Sequence, residues 1–163
     1  MQVIFVIYGA FNDDIDVRHY YDVIIADEGI AIVKIGSLPT VYKHRSPLPR
    51  NVELFLMRLS KEKSRRSYDD VDRLIRSGRA MFVPQEDIAC CTVREREIPI
   101  PPILRKPPSN PREKPRYVEQ VLELSIFTTS NTYRFYTSTK LKDSIKWALK
   151  EAGMYIPKDI VFG

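Results

Sequence analysis

Two stretches of this chain gather side chains that can hold a phosphate. Arg58, Lys61, Lys63, Arg65 and Arg66 crowd the end of one expected helix, and Arg105, Lys106, Arg112, Lys114 and Arg116 line a proline-rich segment. Such cations supply the contacts that a nucleic acid or a phospholipid headgroup requires. Residues 1–42 carry two basic and six acidic groups, residues 43–66 eight against two, and residues 99–117 five against one. The formal net charge is +5, so the two basic stretches supply more than the whole excess. Blocks of one sign repel themselves and need solvent or an anionic partner. Trp147 adds an aromatic surface among Lys140, Lys146 and Lys150. It lies well away from the apolar stripe of its own expected helix, where a ring can stack on a base or lie on a membrane surface. Packing against the apolar tail MYIPKDIVF is the plainer expectation for it.

Carboxylates form a second set. Asp13, Asp14 and Asp16, or Glu86 and Asp87, are the groups that acid–base chemistry with His19 would use. Turn chemistry accounts for Asp13 and Asp14 more simply. Asp69, Asp70 and Asp72 fall at a helix start, where they complement the dipole without any metal. Cys90 and Cys91 are adjacent in an expected strand and point to opposite faces, which argues against a disulfide or a shared metal site. No glycine-rich phosphate loop or metal-ligand spacing occurs, and neither His19 nor His44 sits in a pattern naming a catalytic partner. No catalytic, cofactor or metal residue is therefore assigned.

These groups need a scaffold. A chain of 163 residues, 44% hydrophobic, can bury about 70% of its unfolded surface, enough for one core. A single domain over 1–163 is expected. No apolar run reaches the length of a membrane span, and the opening MQVIFVIYG lacks a basic leader region, so the expectation is a soluble, cytoplasmic protein. Seven Asn and Gln in all, beside 29% charged residues, lean toward a thermophilic source.

Val3 to Tyr8 suits a buried strand. IDVRHYYDVIIADEGIAIVKIG reads as a hairpin turning at Asp27 to Gly29. Residues 47–78 read as a helical insertion. Asn51 would cap a helix with Val52, Phe55, Leu56 and Leu59 on one stripe and Leu54 and Met57 opposite, so that two faces need cover, by the chain itself or, through Leu54 and Met57, by a second copy in a homodimer. Ser67 and Asp70 have capping-box spacing for a second helix bearing Val71, Leu74 and Ile75 and ending at Gly78. A strand, a kink at Pro84 and a second strand from Ile88 follow. The proline-rich stretch within 99–117 is expected to be a long exposed loop, with P-x-x-P spacing that suits an aromatic groove.

Leu122, Leu124 and Ile126 alternate on one strand, Tyr133 and Phe135 on the next. With the turn within Thr128 to Asn131, a four-residue loop pairs Ile126 with Tyr133 and Leu124 with Phe135, and a two-residue loop shifts the register by two and keeps the same faces inward. After Ser138 or Thr139, Leu141, Ile145, Ala148, Leu149 and Ala152 form a helical stripe that Gly153 ends. The fold class is thus α+β: a mainly antiparallel sheet or partial barrel, covered by a C-terminal amphipathic helix, with a two-helix insertion.

The order DVIIADEGIAIV, FVPQEDIACCTV, LELSIFTTSNTYRFYTS and KLKDSIKWALKEA resembles the prokaryotic branch of pleckstrin-homology-like domains. The resemblance covers about two thirds of the chain and rests on pattern; the helical insertion and the long proline-rich segment depart from it. It implies a binding or scaffolding module that uses loops at one end of a barrel to contact phospholipid headgroups, peptides or partner domains. The expected function is therefore a non-catalytic binding module with a protein partner or an anionic ligand. A nucleic-acid-binding protein using 43–66 and 99–117 is the first alternative, and a small carboxylate-based enzyme the second.

Overall fold

The computed structural model describes residues 1–41, 49–62, 67–105, 110–112, 114 and 117–155. Seven strands form one sheet: β1 (Val3–Asp14), β2 (Val17–Ala26), β3 (Gly29–Pro39), β4 (Met81–Pro84), β5 (Ile88–Pro99), β6 (Val118–Thr128) and β7 (Thr132–Thr137). Their order is β4-β3-β2-β1-β7-β6-β5, antiparallel at every step. The sheet curls into a half-barrel. Its inner face buries Ile7, Val23, Ile25, Ile30, Leu122, Leu124, Ile126 and Phe135 in the main core.

Three helices dress this sheet: α1 (Pro49–Glu62), α2 (Val71–Arg76) and α3 (Lys142–Glu151). α3 covers the inner face, with Ile145, Ala148 and Leu149 fully buried and Leu141 and Ala152 packed on the same core. Fully burying a Leu or Ile contributes about 1.5–3 kcal/mol, so this stripe explains why the chain ends in a helix there. The helix stops at Gly153, whose φ is 71°. Beyond it, Cys91 donates its N–H to Met154 O at 2.9 Å, and Tyr155 bridges Cys91, so the last described residues join the outer edge of β5.

The insertion covers the outer face of the other half. α2 packs Val71, Leu74 and Ile75 on Ile24, Ala31 and Ala80. α1 packs Val52, Phe55, Leu56 and Leu59 on Tyr20 and Leu38. Gly36 lets α1 come close, since a Cβ there would stand 3.0 Å from the Phe55 ring. With both faces covered, Val23 to Ala26 is buried at every residue, which is why DVIIA reads as a continuous apolar run.

The hairpin pairs Ala26 with Gly29 around a two-residue turn, and the last hairpin pairs Ile126 with Tyr133 and Leu124 with Phe135 across the four residues Thr128 to Asn131, the longer of the two expected loops. Three expectations need correction. α1 starts at Pro49, not after an Asn51 cap. Proline suits a first helical position because its missing N–H has no partner to lose there. α2 is capped by Asp70, which accepts the Arg73 N–H at 3.1 Å, while the Ser67 hydroxyl goes to Asp69. Only Asp72 of the acidic trio lies within the helix. The proline-rich stretch is not all exposed loop: Pro99 still pairs with Val118, and the turn Pro102–Leu104 buries Ile103 against α1.

Gly29 is the tightest point of the β3–β4 pairing. Its φ is +153°, and a Cβ there would meet Val83 O at 2.3 Å and the Phe82 ring at 2.8 Å. Backbone cannot yield as a flexible side chain can. Gly29→Ala should therefore cost about 2–3 kcal/mol in urea unfolding. Gly9→Ala, at φ +68° with nothing within 4 Å, should cost about 1 kcal/mol from the backbone alone. Equal costs would show that the approach of β4 is not the constraint.

Candidate binding surfaces

Ile103 and Leu104 pack into the same cluster as Val52, Phe55, Leu56 and Leu59, so the segment leading to Arg105 lies against α1. On the opposite side of α1, Arg50, Leu54, Met57, Arg58 and Lys61 are exposed, at spacings of 4, 3, 1 and 3 that keep them on one face. Leu54 and Met57 are 52% and 50% exposed, so the chain covers one face of α1 and leaves the other bare. The Arg105 guanidinium stacks 4.7 Å from the centre of the exposed Tyr117 ring and donates to Ile100 O. Arg112 and Lys114 are exposed. Lys63, Arg65, Arg66, Lys106 and Arg116 lie outside the described residues, as does His44. Trp147 is 55% exposed on α3; of the tail expected to cover it, only Met154 and Tyr155 are described.

The carboxylates divide. Asp13, Asp14 and His19 line one recess with Asn12, Tyr21, Thr132 and Arg134, where the β1–β2 turn approaches the start of β7. Asp13 is held by Arg18 at 2.7 Å, and Asp14 accepts its neighbour's N–H, from Ile15. His19 Nδ1 lies 2.8 Å from Ser37 Oγ, and its Nε2 lies 4.0 Å from Asp14. Asp16 makes the turn itself, at φ 64°. Glu86 and Asp87 sit in the short turn between β4 and β5 and do not line that recess. Among the described residues no three His, Cys, Asp or Glu side chains gather as metal ligands. Burial pushes the Cys91 thiol up to about 12, so it stays protonated at neutral pH.

The strongest electrostatic feature was absent from the sequence reading. Glu123, 1% exposed in the middle of β6, accepts from Arg94 Nε at 3.1 Å and from Arg96 Nη1 at 2.8 Å. Burial by itself would raise its carboxyl; the hydrogen bonds and charges of Arg96 and Arg94 outweigh that and hold it below the usual glutamate range. A signal existed: in TVREREI the arginines fall at every second position of a strand and so share a face.

A carboxyl lowered in the folded state contributes stability that is complete above its unfolded value and is lost as pH falls through the folded one. Glu123→Gln removes that titration. The stability advantage of the wild type over this variant should be flat from about pH 6 to about pH 8 and shrink below about pH 5, measured by urea unfolding at each pH. An advantage that grows on acidification would refute the pairing. Set beside known proteins, the chain matches no family model, no curated protein and no solved structure.

Proposed function

We propose that this chain is a non-catalytic binding module of the pleckstrin-homology-like kind and that its partner is an anionic phospholipid surface. Support for the kind comes from the strand order, the antiparallel curl and the terminal helix laid on the inner face. One observation carries the partner: on α1, Leu54 and Met57 stand exposed between Arg50, Arg58 and Lys61. Cations along a helix contribute about 1 kcal/mol each near an anionic membrane, and apolar tips between them enter the boundary below the headgroups. A nucleic acid would meet the cations but would give Leu54 and Met57 nowhere dry to go.

Sedimentation with vesicles of phosphatidylglycerol and phosphatidylcholine tests this. Binding should weaken as salt rises, be absent with phosphatidylcholine alone, and fall on the order of tenfold in the Leu54→Asp, Met57→Asp variant and in Arg58→Glu. No binding to the anionic vesicles at low salt overturns the reading. A duplex shifted in a gel by wild type and by Leu54→Asp, Met57→Asp alike would transfer it to nucleic acid. A dimer that this variant dissolves would assign the face to a second copy.

A further inference from the structure

The insertion covers the outer face of only half the sheet, and the outer face of β5, β6 and β7 holds a shallow recess of about 220 Å³. Thr92, Arg94, Glu123, Ser125, Phe127 and Arg134 line it. Register creates this hollow. Thr92, Ser125 and Arg134 stand in one cross-strand row, and Arg94, Glu123 and Tyr136 in the next. Ser125, the small member in the middle strand, is 2% exposed and forms the floor, with arginines rising from the strands on either side.

The charges do not cancel within this cluster. Glu123 is already engaged on both oxygens, by Arg94 and Arg96, with the Ser125 hydroxyl 3.4 Å from one of them. Arg94 spends its Nε there and keeps its terminal nitrogens, and its side chain is 42% exposed. Arg134 adds a third cation and makes no ion pair within the described residues. On its other side Arg134 also lines the neighbouring recess, with Asp13, which is bound to Arg18, and Asp14, which lies 4.0 Å from His19. Within the recess itself two guanidiniums, of Arg94 and Arg134, face the one carboxylate of Glu123, which Arg96 also shares. A purely structural pairing would need no Arg134, since like charges gathered on one face oppose folding.

We propose that this recess is an oxyanion site that takes a phosphoryl group. The buried Glu123 fixes Arg94 in place before binding, so less side-chain freedom is lost on capture. Donors converge from the two flanking strands: the terminal nitrogens of Arg94 and the hydroxyl of Thr92 from β5, and the guanidinium of Arg134 from β7, while the Ser125 hydroxyl below them donates to Glu123. A tetrahedral group with three peripheral oxygens uses such a ring of donors better than a planar carboxylate, which offers two. Phe127 gives the group carrying the phosphate an apolar wall. This site lies on different strands from the α1 surface and stands or falls without it.

The test is an amide chemical-shift titration of the full chain with inorganic phosphate, glycerol phosphate and acetate. Saturable shifts at Thr92, Ser125 and Arg134 are expected with both phosphates, with affinity lower by about tenfold or more in Arg134→Ala. That variant removes an exposed side chain that makes no ion pair among the described residues, so it should fold; Arg94→Ala serves as the second probe. Tighter binding of glycerol phosphate than of phosphate would identify an esterified ligand lying on Phe127, and equal binding the free ion. No saturation by either phosphate, acetate binding as tightly as phosphate, or an affinity unchanged in Arg134→Ala overturns the proposal.

Discussion

The sheet does not close. β4 and β5, its two ends, are not hydrogen-bonded to each other, and a curled sheet with an apolar inner face must cover that seam or expose its core. The chain solves this with its last described residues. α3 lies over the inner face, Gln85 in the β4–β5 connection donates to Ala152 O at 2.8 Å, and Met154 accepts from Cys91 on the edge of β5. Val83 from one side of the gap and Cys91 and Val93 from the other enter the same core as Leu149 and Met154. The helix therefore acts as part of the wall, and its loss would open the barrel along its length.

A second joint lies where β1 passes from one half of the sheet to the other. β1 meets β7 at Phe11 and Tyr136, and its pairing with β2 shifts between Ile7 and Ala10, at Gly9 with φ +68°. The Gly9 N–H donates to Asp22, a fully buried carboxylate that also takes the Tyr68 hydroxyl. Around the corner, Arg18 lies 3.9 Å over the Phe11 ring, bonded to Asp13 of β1 and 3.5 Å from Glu119 of β6. Burial opposes its charge, and the bond to Asp13 more than offsets that, so this cation ties the two halves together. Phe55, Tyr20, Phe11 and Tyr136 continue the joint as a row of rings at 5.7 to 6.2 Å, linking α1 to β7.

This division of faces explains where binding groups can stand. The inner face is covered by α3 and the outer face of β1 to β4 by α1 and α2, which leaves the outer side of α1 and the outer face of β5 to β7 among the exposed surfaces of the described residues. Both are basic. Helix faces present a stripe of long, mobile side chains suited to a broad surface, whereas a sheet face holds arginines in fixed rows suited to a small anion. The two surfaces differ in kind because their scaffolds differ in rigidity.

Much of this was written in the chain order. Alternation in LELSIF and YRFY determined the last hairpin and which of its faces turns inward, because a slip of one residue would turn every apolar side chain to the wrong face, whereas the choice between registers two residues apart was made by the turn. The stripe from Leu141 to Ala152 determined that a helix would lie on an apolar surface, and the contrast of Leu54 and Met57 with Val52, Phe55 and Leu59 showed that α1 has two apolar sides. Local capping was less legible: Pro49 displaced Asn51, and Asp70 displaced Ser67, since several residues in a row could serve and tertiary packing chose between them. What only the tertiary structure decided was proximity. Nothing local says that Ile103 rests on α1, that Glu123 receives arginines nearly thirty positions away, or that Arg134 joins them, because those meetings depend on strand order and curl, which are properties of the whole sheet.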